Sequence, residues 1–543
     1  MAKTTRFTAE MNEYWEPGTL SDYWERNATL FPAKEAIVDA RTRLTWPEAN
    51  LWINRLALGL IDLGIQQDEM IVVQLPNSVE LHLLVVACEK AGVLCMPAAR
   101  TLRAREMTQL LGENDAVGIV IPWKFRDFDY YQMVKAIRPD LPGLRHVFVV
   151  GDTVPQDVIS IKEILGHPLE KKYSQNVLQQ RKCPGNEVSL VIPTTGTTGF
   201  PKLVETPFYP LLCSNRWRLK AYNLTPKDVF VAFSPAVSGV NAPVYAAAPQ
   251  SGGKIVMMEH FDAQEALSLI EKERITVIAA VPTMLQQMLE LPDLDKYDLS
   301  SVRLIESAGA PLAYHVGQAA EKRFNCPVMH RYGSQDAGAI AQHQLDEPQD
   351  IRLRTLGKPC IPGAQVKLLD EEGKEVKRGQ IGEILAKGPQ LFSGYYRNPE
   401  ATREAWTDDG WFKTGDLAKF DDQGYLILTG RKKDVIIRGG QNIYPVEIEK
   451  ILLTHPKIKD VAVVAMPDPI MGQRACAFVV SEPGEAVSLE EVVSFMKDKG
   501  AAAYKFPEKV NAIDKLPMVG DSQKVDKKLL QRTLTGEFQI NEN

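Results

Sequence analysis

The sequence lacks the usual marks of a disulfide or zinc scaffold. Its seven cysteines, at 88, 95, 183, 213, 326, 360 and 476, are scattered, odd in number and never paired as Cys-x-x-Cys. That argues against a disulfide framework and a cysteine-built zinc site, and it fits a reducing compartment. The eight histidines contain no His-Glu-x-x-His, so the zinc-protease pattern is missing too. The longest apolar stretch, 81–99, is broken by Glu89 and Lys90, whereas a membrane span needs about 20 mostly uncharged residues. Residues 1–10 are polar and lack the apolar centre of a signal peptide. No internal repeat or low-complexity tract is present. The net charge is -6, which gives no broad cationic field for nucleic acid or anionic lipid. These absences predict a cytoplasmic protein with no membrane span and no nucleic-acid partner.

The chain has 543 residues, 45% hydrophobic and 24% charged. That composition is ordinary for a globular protein and allows several domains or subdomains. Apolar residues recur every three to four positions over 46–64, which predicts a helix. A strand is expected over 70–75 and an apolar helix over 79–90. The middle alternates: strands at 228–233 and 254–258, a helix at 262–274, a strand at 275–281, and a helix opened by Pro282. Alternation of this kind predicts crossover units and a buried parallel sheet, hence an α/β fold. A boundary falls near 429–434. Beyond it come a helix at 445–455, strands at 460–465 and 475–480, and a helix started by the Ser488-x-x-Glu491 capping box and ended by Gly500. The domains expected are therefore 1–432 and a small α+β unit at 433–543.

The strongest local signal is Pro193-Thr194-Thr195-Gly196-Thr197-Thr198-Gly199-Phe200-Pro201-Lys202, after the apolar run 188–192. Glycines let a backbone turn tightly and aim several N–H groups at one anion. Threonine hydroxyls add donors and Lys202 adds a positive charge, so the string suits a phosphate. It lacks the Gly-x-x-x-x-Gly-Lys-Ser/Thr spacing of a Walker loop. A polar turn between strands is the plain alternative.

This string resembles the phosphate loop of the adenylate-forming superfamily: acyl- and aryl-CoA synthetases, peptide-synthetase adenylation domains and firefly-type luciferases. Other segments follow in that family's order. Leu75-Pro76-Asn77-Ser78-Val79-Glu80 looks like its Leu-Pro-Asn-Ser segment. Ser307-Ala308-Gly309-Ala310-Pro311-Leu312 resembles its adenine and substrate wall. Arg331-Tyr332-Gly333-Ser334-Gln335-Asp336 resembles the motif whose aromatic stacks on adenine and whose acid helps hold Mg2+; Asp336 stands where Glu is usual, and Gln335 where Thr is frequent. Lys413-Thr414-Gly415-Asp416 resembles the ribose-binding motif, with Arg431 placed 15 residues on as the family requires.

The resemblance implies a large N-terminal domain of parallel-sheet subdomains with a β-barrel-like part, and a mobile C-terminal domain. It implies a hinge at Lys433 and a pantetheine tunnel at Gly439 and Gly440, within Ile437 to Glu447. It implies a catalytic Lys524, although Gln523 replaces the usual glycine and the preceding segment is one residue longer than is common. Thr194 and Asp336 join Lys524 as catalytic candidates. Nucleotide contacts are expected at 194–199 and at Lys202, Gly309, Ala310, Pro311, Arg331, Tyr332, Gly333, Ser334, Gln335, Asp416 and Arg431. Val237, Ser238, Asn241, Gly309 and Gly333 are expected to shape the acyl pocket. Ser238, also assigned to the tunnel, stands where an aromatic or His usually gates that pocket.

The implied reaction joins a small-molecule carboxylic acid to AMP at the expense of ATP, with Mg2+, and then to CoA. Tyr14-Trp15-Glu16-Pro17 and Val525 to Lys528 resemble the aryl-acid branch, so the acid expected is aromatic or alicyclic and of benzoate size. A stand-alone enzyme loading a carrier protein is the near alternative. A catalytically impaired nucleotide-binding regulator is the alternative of another class, and a luciferase-like oxygenase a remote one. A monomer or homodimer is expected.

Overall fold

Strands such as Met70–Val73 and Val277–Ala280 are apolar on both faces, and all their residues are buried. A strand of that kind belongs in a parallel sheet covered by helices. The computed structural model describes residues 13–174, 176–194, 201–519 and 524–534, and it contains two such sheets. The first has eight strands, ordered Gly394–Tyr395, Leu203–Pro207, Val188–Pro193, Leu94–Pro97, Met70–Val73, Ala116–Pro122, His146–Val150 and Ile159–Ser160. Its last six strands are parallel; Leu203–Pro207 is antiparallel to both of its neighbours.

The second sheet has seven strands: Val328–His330, Leu304–Ser307, Val277–Ala280, Val229–Ala232, Lys254–Met257, Glu35–Val38 and Arg43–Thr45. All neighbours are parallel except the final hairpin. Glu35–Val38 comes from far upstream and pairs Ile37 with Ile255. Nothing in the local pattern at 35–38 announces that partner.

One apolar core joins both sheets through the helices Trp46–Asp62 and Val79–Ala91. The first was expected to 64 and ends at Asp62; Thr45 and Glu48 form its capping box. The second starts at Ser78, whose hydroxyl accepts from the Leu81 N–H, and stops at Gly92 with φ 70, a left-handed turn that glycine adopts without strain. All 13 of its residues are buried, so its ionisable groups need partners. Glu89 accepts from the Ser21 hydroxyl at 2.6 Å and the Ser21 N–H at 3.1 Å. Lys90 pairs with Glu25 and donates to Asn54. His82 packs edge-on to Trp24, ring centroids 5.6 Å apart. Neither of its ring nitrogens has a partner among the described residues. Burial holds its pKa down to about 3, so the ring is neutral near pH 7.

A third sheet is antiparallel: Gln365–Leu369, Gly382–Lys387, Phe412–Phe420 and Leu426–Arg431. It stands where the barrel-like part was expected. Its outer strands do not pair with each other, and among the described residues no barrel closes. After Asp434 the chain builds a fourth sheet from Ile436–Arg438, Gln441–Ile443, Ile458–Asp468, Gly472–Ser481 and Lys509–Ala512. Its two apolar clusters draw only on residues from Ile436 onward, which gives this smaller lobe its own core.

Candidate active site

Four turns that leave the carboxyl ends of parallel strands converge on one cleft. They follow Val188–Pro193 in the first sheet and Val229–Ala232, Leu304–Ser307 and Val328–His330 in the second. Ligands of open α/β sheets bind at such ends. The cleft holds about 1890 Å³ and is lined from both lobes, by Thr194, Lys202, Gly309, Asp336, Asp416 and Arg431 on the large one and Lys524 on the small one. Residues 195–200 and Gln523 lie outside the described residues. On the two sides of 195–200, the Thr194 N–H donates to the Lys202 carbonyl at 2.8 Å.

Asp416 is held from two sides. It faces Arg431 across the antiparallel pair Phe412–Phe420 and Leu426–Arg431. The Arg431 Nε donates to Asp416 Oδ1 at 2.9 Å, and the Tyr332 hydroxyl donates to Oδ2 at 2.6 Å. Burial and the Asp416 charge push the Tyr332 phenol far above its usual range, so it stays a donor. Burial lowers the Arg431 guanidinium, and Asp416 more than offsets that. Each carboxylate oxygen keeps a second lone-pair direction. Asp416 can therefore take two further hydroxyl donors.

Asp336 sits at the tip of the hairpin Tyr332–Ser334 and Gly338–Ala341. Ser334 Oγ donates to its Oδ1 at 2.6 Å, and the Tyr395 hydroxyl donates to Oδ2 at 2.8 Å. The Lys202 ammonium lies 4.6 Å from the centre of the Tyr395 ring. Tyr395 thus links Lys202 to Asp336. The sequence reading passed over Tyr395; its only signal is a tyrosine after Gly394 in a turn-rich run. Among the described residues no three His, Cys, Asp or Glu side chains converge on one point. A single aligned carboxylate with free lone pairs suits Mg2+, which takes few protein ligands and keeps phosphate and water oxygens.

Lys524 enters from the small lobe. Its carbonyl accepts from the Val519 N–H at 2.7 Å, and Met518 bridges Val525. Lys524 lies beside Gly309, which has φ +86: a Cβ there would stand 3.5 Å from Lys524 Cε and 3.0 Å from Val240 Cγ2. Burial lowers the Lys524 pKa, and Arg431 adds to the fall, against Asp416 and Asp336. Lys433 lies in the short turn Lys432–Asp434 between the third and fourth sheets. Gly439 and Gly440 turn the next hairpin with φ 54 and 82. They are not among the residues that line the cleft in this arrangement.

Val237 and Ser238 line the cleft, whereas Asn241 does not: it is fully buried and donates to the Ser234 and Pro235 carbonyls at 2.6 and 3.1 Å. Asn77 donates to the Ser234 carbonyl at 2.8 Å and accepts from the Ala236 N–H at 2.7 Å. The Leu-Pro-Asn segment therefore clamps the wall that carries Val237 and Ser238. Arg331 is buried: its Nη2 donates to the Gly239 carbonyl at 2.9 Å, and its Nε lies 3.3 Å from Glu306. Arg218 Nε reaches the same Glu306 oxygen at 3.1 Å. The sequence reading singled out neither Arg218 nor Glu306.

The sequence matches the family described as AMP-binding enzyme over residues 24–396 and the AMP-binding enzyme C-terminal domain over 447–522. It is 29% identical over 530 residues to a 2,3-dihydroxybenzoate-AMP ligase of Bacillus subtilis (strain 168), covering 97% of this chain and 96% of that one. It is 32% identical over 529 residues to a medium-chain fatty-acid–CoA ligase of Escherichia coli (strain K12), covering 96% and 91%. The fold resembles ATP-bound MatB from Rhodopseudomonas palustris with a TM-score of 0.83 at 26% identity, over 96% of this chain and 100% of that one.

Proposed function

The chain belongs to the AMP-binding enzyme family and is an AMP-forming ligase that activates a carboxylic acid, and on that premise we propose that its acid is a ring acid of benzoate size and its final acceptor CoA. One observation carries the adenylation step: Lys524 of the small lobe lies against Gly309, in a cleft shared with Asp336, Asp416 and Arg431.

A carboxylate is a poor electrophile because its charge repels a nucleophile. Joining it to AMP supplies a good leaving group. In our reading Asp416 takes the ribose hydroxyls, with Tyr332 and Arg431 fixing its orientation, while Tyr332 and the Gly309–Pro311 turn flank the adenine. Residues 194–199 and Lys202 hold the triphosphate so that the acid oxygen meets the α-phosphorus in line. Lys524 stands where charge builds on the α-phosphate and the attacking oxygen, and a placed ammonium stabilises that transition state more than the ground state. Asp336 is the residue that would hold Mg2+, which supplies charge neutralisation for the phosphates. Pyrophosphate leaves, and the acyl-adenylate remains beside Ser238 and Gly333.

The second step needs a different arrangement, because Gly439 and Gly440 do not line the cleft in this one. Rotation of the small lobe about Lys433 withdraws Lys524 and brings the paired glycines to the acyl-adenylate, where a thiolate attacks the acyl carbon and AMP leaves. Hinges absorb such motions at a few backbone angles. The test is ATP–pyrophosphate exchange over ring, short-chain and long-chain acids, followed by CoA addition and a search for thioester. Exchange with a ring acid and a CoA thioester are expected. Best turnover on long-chain fatty acids defeats the acid assignment. Adenylate that accumulates without thioester defeats the acceptor assignment.

A further inference from the structure

Beneath the acyl side of the cleft lies a buried charge cluster that adenylation leaves unexplained. Arg218, on helix Phe208–Ala221, and Arg331, after strand Val328–His330, both point at one oxygen of Glu306. The side chains of Arg218, Arg331 and Glu306 are 1%, 6% and 2% exposed. Two guanidiniums share one carboxylate, so the cluster carries one excess positive charge. The other groups around it are neutral: Asn215, which accepts from Arg218, the buried tyrosines 222 and 245, and Cys360. Burial pushes the Cys360 thiol up to about 12, so it supplies no thiolate. His330 is buried with its pKa pushed down to about 4, so it adds no charge.

A buried charge without a counterion is strongly unfavourable. Arg331 Nε, the Tyr222 hydroxyl and Glu306 Oε1 have no hydrogen-bond partner among the described residues. Arg218, Arg331, Asn215 and Tyr245 all line the cleft. Arg331 holds the Gly239 carbonyl at 2.9 Å, and the adjoining Val240 packs at Gly309, where Lys524 arrives. The two cationic points thus both lie near the short segment Gly239–Val240. Burial and the neighbouring Arg218 lower Arg331 to about 10, which still leaves it charged at neutral pH.

We propose that Arg218 and Arg331 bind a second ionised group of the acid, so that the substrate is a dicarboxylate activated at one end and anchored at the other. This rests on the ligase reading above and narrows its acid class. Glu306 orients the two guanidiniums, and the incoming carboxylate completes the charge balance.

Matched acids that differ only in the second carboxylate test it: isophthalate and terephthalate against benzoate, and adipate against hexanoate. For pyrophosphate release by the full-length enzyme, kcat/KM is expected to be about tenfold or more higher for the best diacid than for its monoacid, the scale of one charge-assisted contact. In Arg218→Met that ratio falls toward one. If R218M does not fold, the wild-type ratio decides alone. A monoacid used as well as or better than every diacid overturns the proposal. Absence of pyrophosphate release with every acid counts against the ligase reading. In that case thermal shift with isophthalate and benzoate still decides the anchor: a larger shift with isophthalate supports it and equal shifts overturn it.

Discussion

Single side chains in this molecule are set by what surrounds them more than by their own chemistry. Lys524 is one lysine in a C-terminal stretch that also holds Lys515, Lys527 and Lys528, yet it alone of these lies against Gly309. Lys524→Ala is expected to lower the adenylation rate by about 10²–10³-fold, the size of losing one preorganised charge contact. ATP affinity should change little, and comparing pyrophosphate exchange with equilibrium ATP binding checks both. His82 shows the same dependence on surroundings. Its pKa lies at about 3 in the fold against an ordinary 6.5, so the unfolded chain binds the extra proton. The stability it permits is complete above pH 6.5 and is lost as the pH falls toward 3. Within that window each pH unit costs about 1.4 kcal/mol. Urea unfolding at pH 7 and pH 5 should show the wild type losing about 2 kcal/mol more than His82→Leu over that interval. Arg218 shows the limit of reading charges from sequence. It stands between Arg216 and Lys220 on one helix, and a charge run on a helix reads as a solvated face. Arg216 pairs with Glu16 at 2.9 Å and Lys220 covers Trp217 at 4.2 Å, while Arg218 is buried beside Glu306 and lines the cleft. Only the tertiary fold separates them.

Elements were legible where the local pattern and the long-range partner agree. Trp46–Asp62 and Val79–Ala91 carry their own caps and apolar faces, and both stand within two residues of the expected ranges. The strand expected at 460–465 is in fact Ile458–Asp468, and the one at 475–480 is Gly472–Ser481. These two pair along their length as a hairpin, and that pairing carries the strand pattern past the apolar residues. The expected barrel is an open sheet because closure depends on edge pairing, which leaves no local trace. The hairpin that bears Tyr332 and Asp336 depends on two glycines. A Cβ at Gly333 would stand 2.3 Å from the Gly338 carbonyl oxygen, and one at Gly338, with φ +62, 2.4 Å from the Gln390 carbonyl oxygen. Gly338→Ala is expected to raise the KM for ATP and lower kcat/KM by about tenfold or more, as expected for misplaced substrate-positioning groups. Gly424→Ala is the comparison: φ is +83 with nothing within 4 Å. It should cost about 1 kcal/mol of backbone strain in thermal unfolding and leave kinetics alone.

At the scale of the whole molecule, polar contacts between the described residues join the two lobes. Lys459 of the small lobe pairs with Glu290 at 2.9 Å, the two side chains 37% and 42% exposed. Asn442 donates to Glu371 at 3.3 Å, and Lys450 to the Leu428 carbonyl at 3.2 Å. An exposed pair contributes under about 1 kcal/mol, a scale compatible with the lobe rotation proposed above. Lys459→Glu puts like charges face to face. It should slow adenylation relative to thioester formation by about two- to fivefold, and the effect should fade at about 1 M salt, where charges more than a few ångströms apart are screened. Comparing the two half-reactions at low and high ionic strength measures it.

The strand Glu35–Val38 has a consequence for biosynthesis. Its parallel neighbour, Lys254–Met257, is translated more than two hundred residues later. While the ribosome makes the intervening chain, that early strand waits with an open edge, and edges of this kind recruit wrong partners. Nascent chains stalled before Lys254 should therefore hold the first segment loosely and draw on chaperones. Protection of Ile37 from proteases should begin only once Met257 has cleared the exit tunnel.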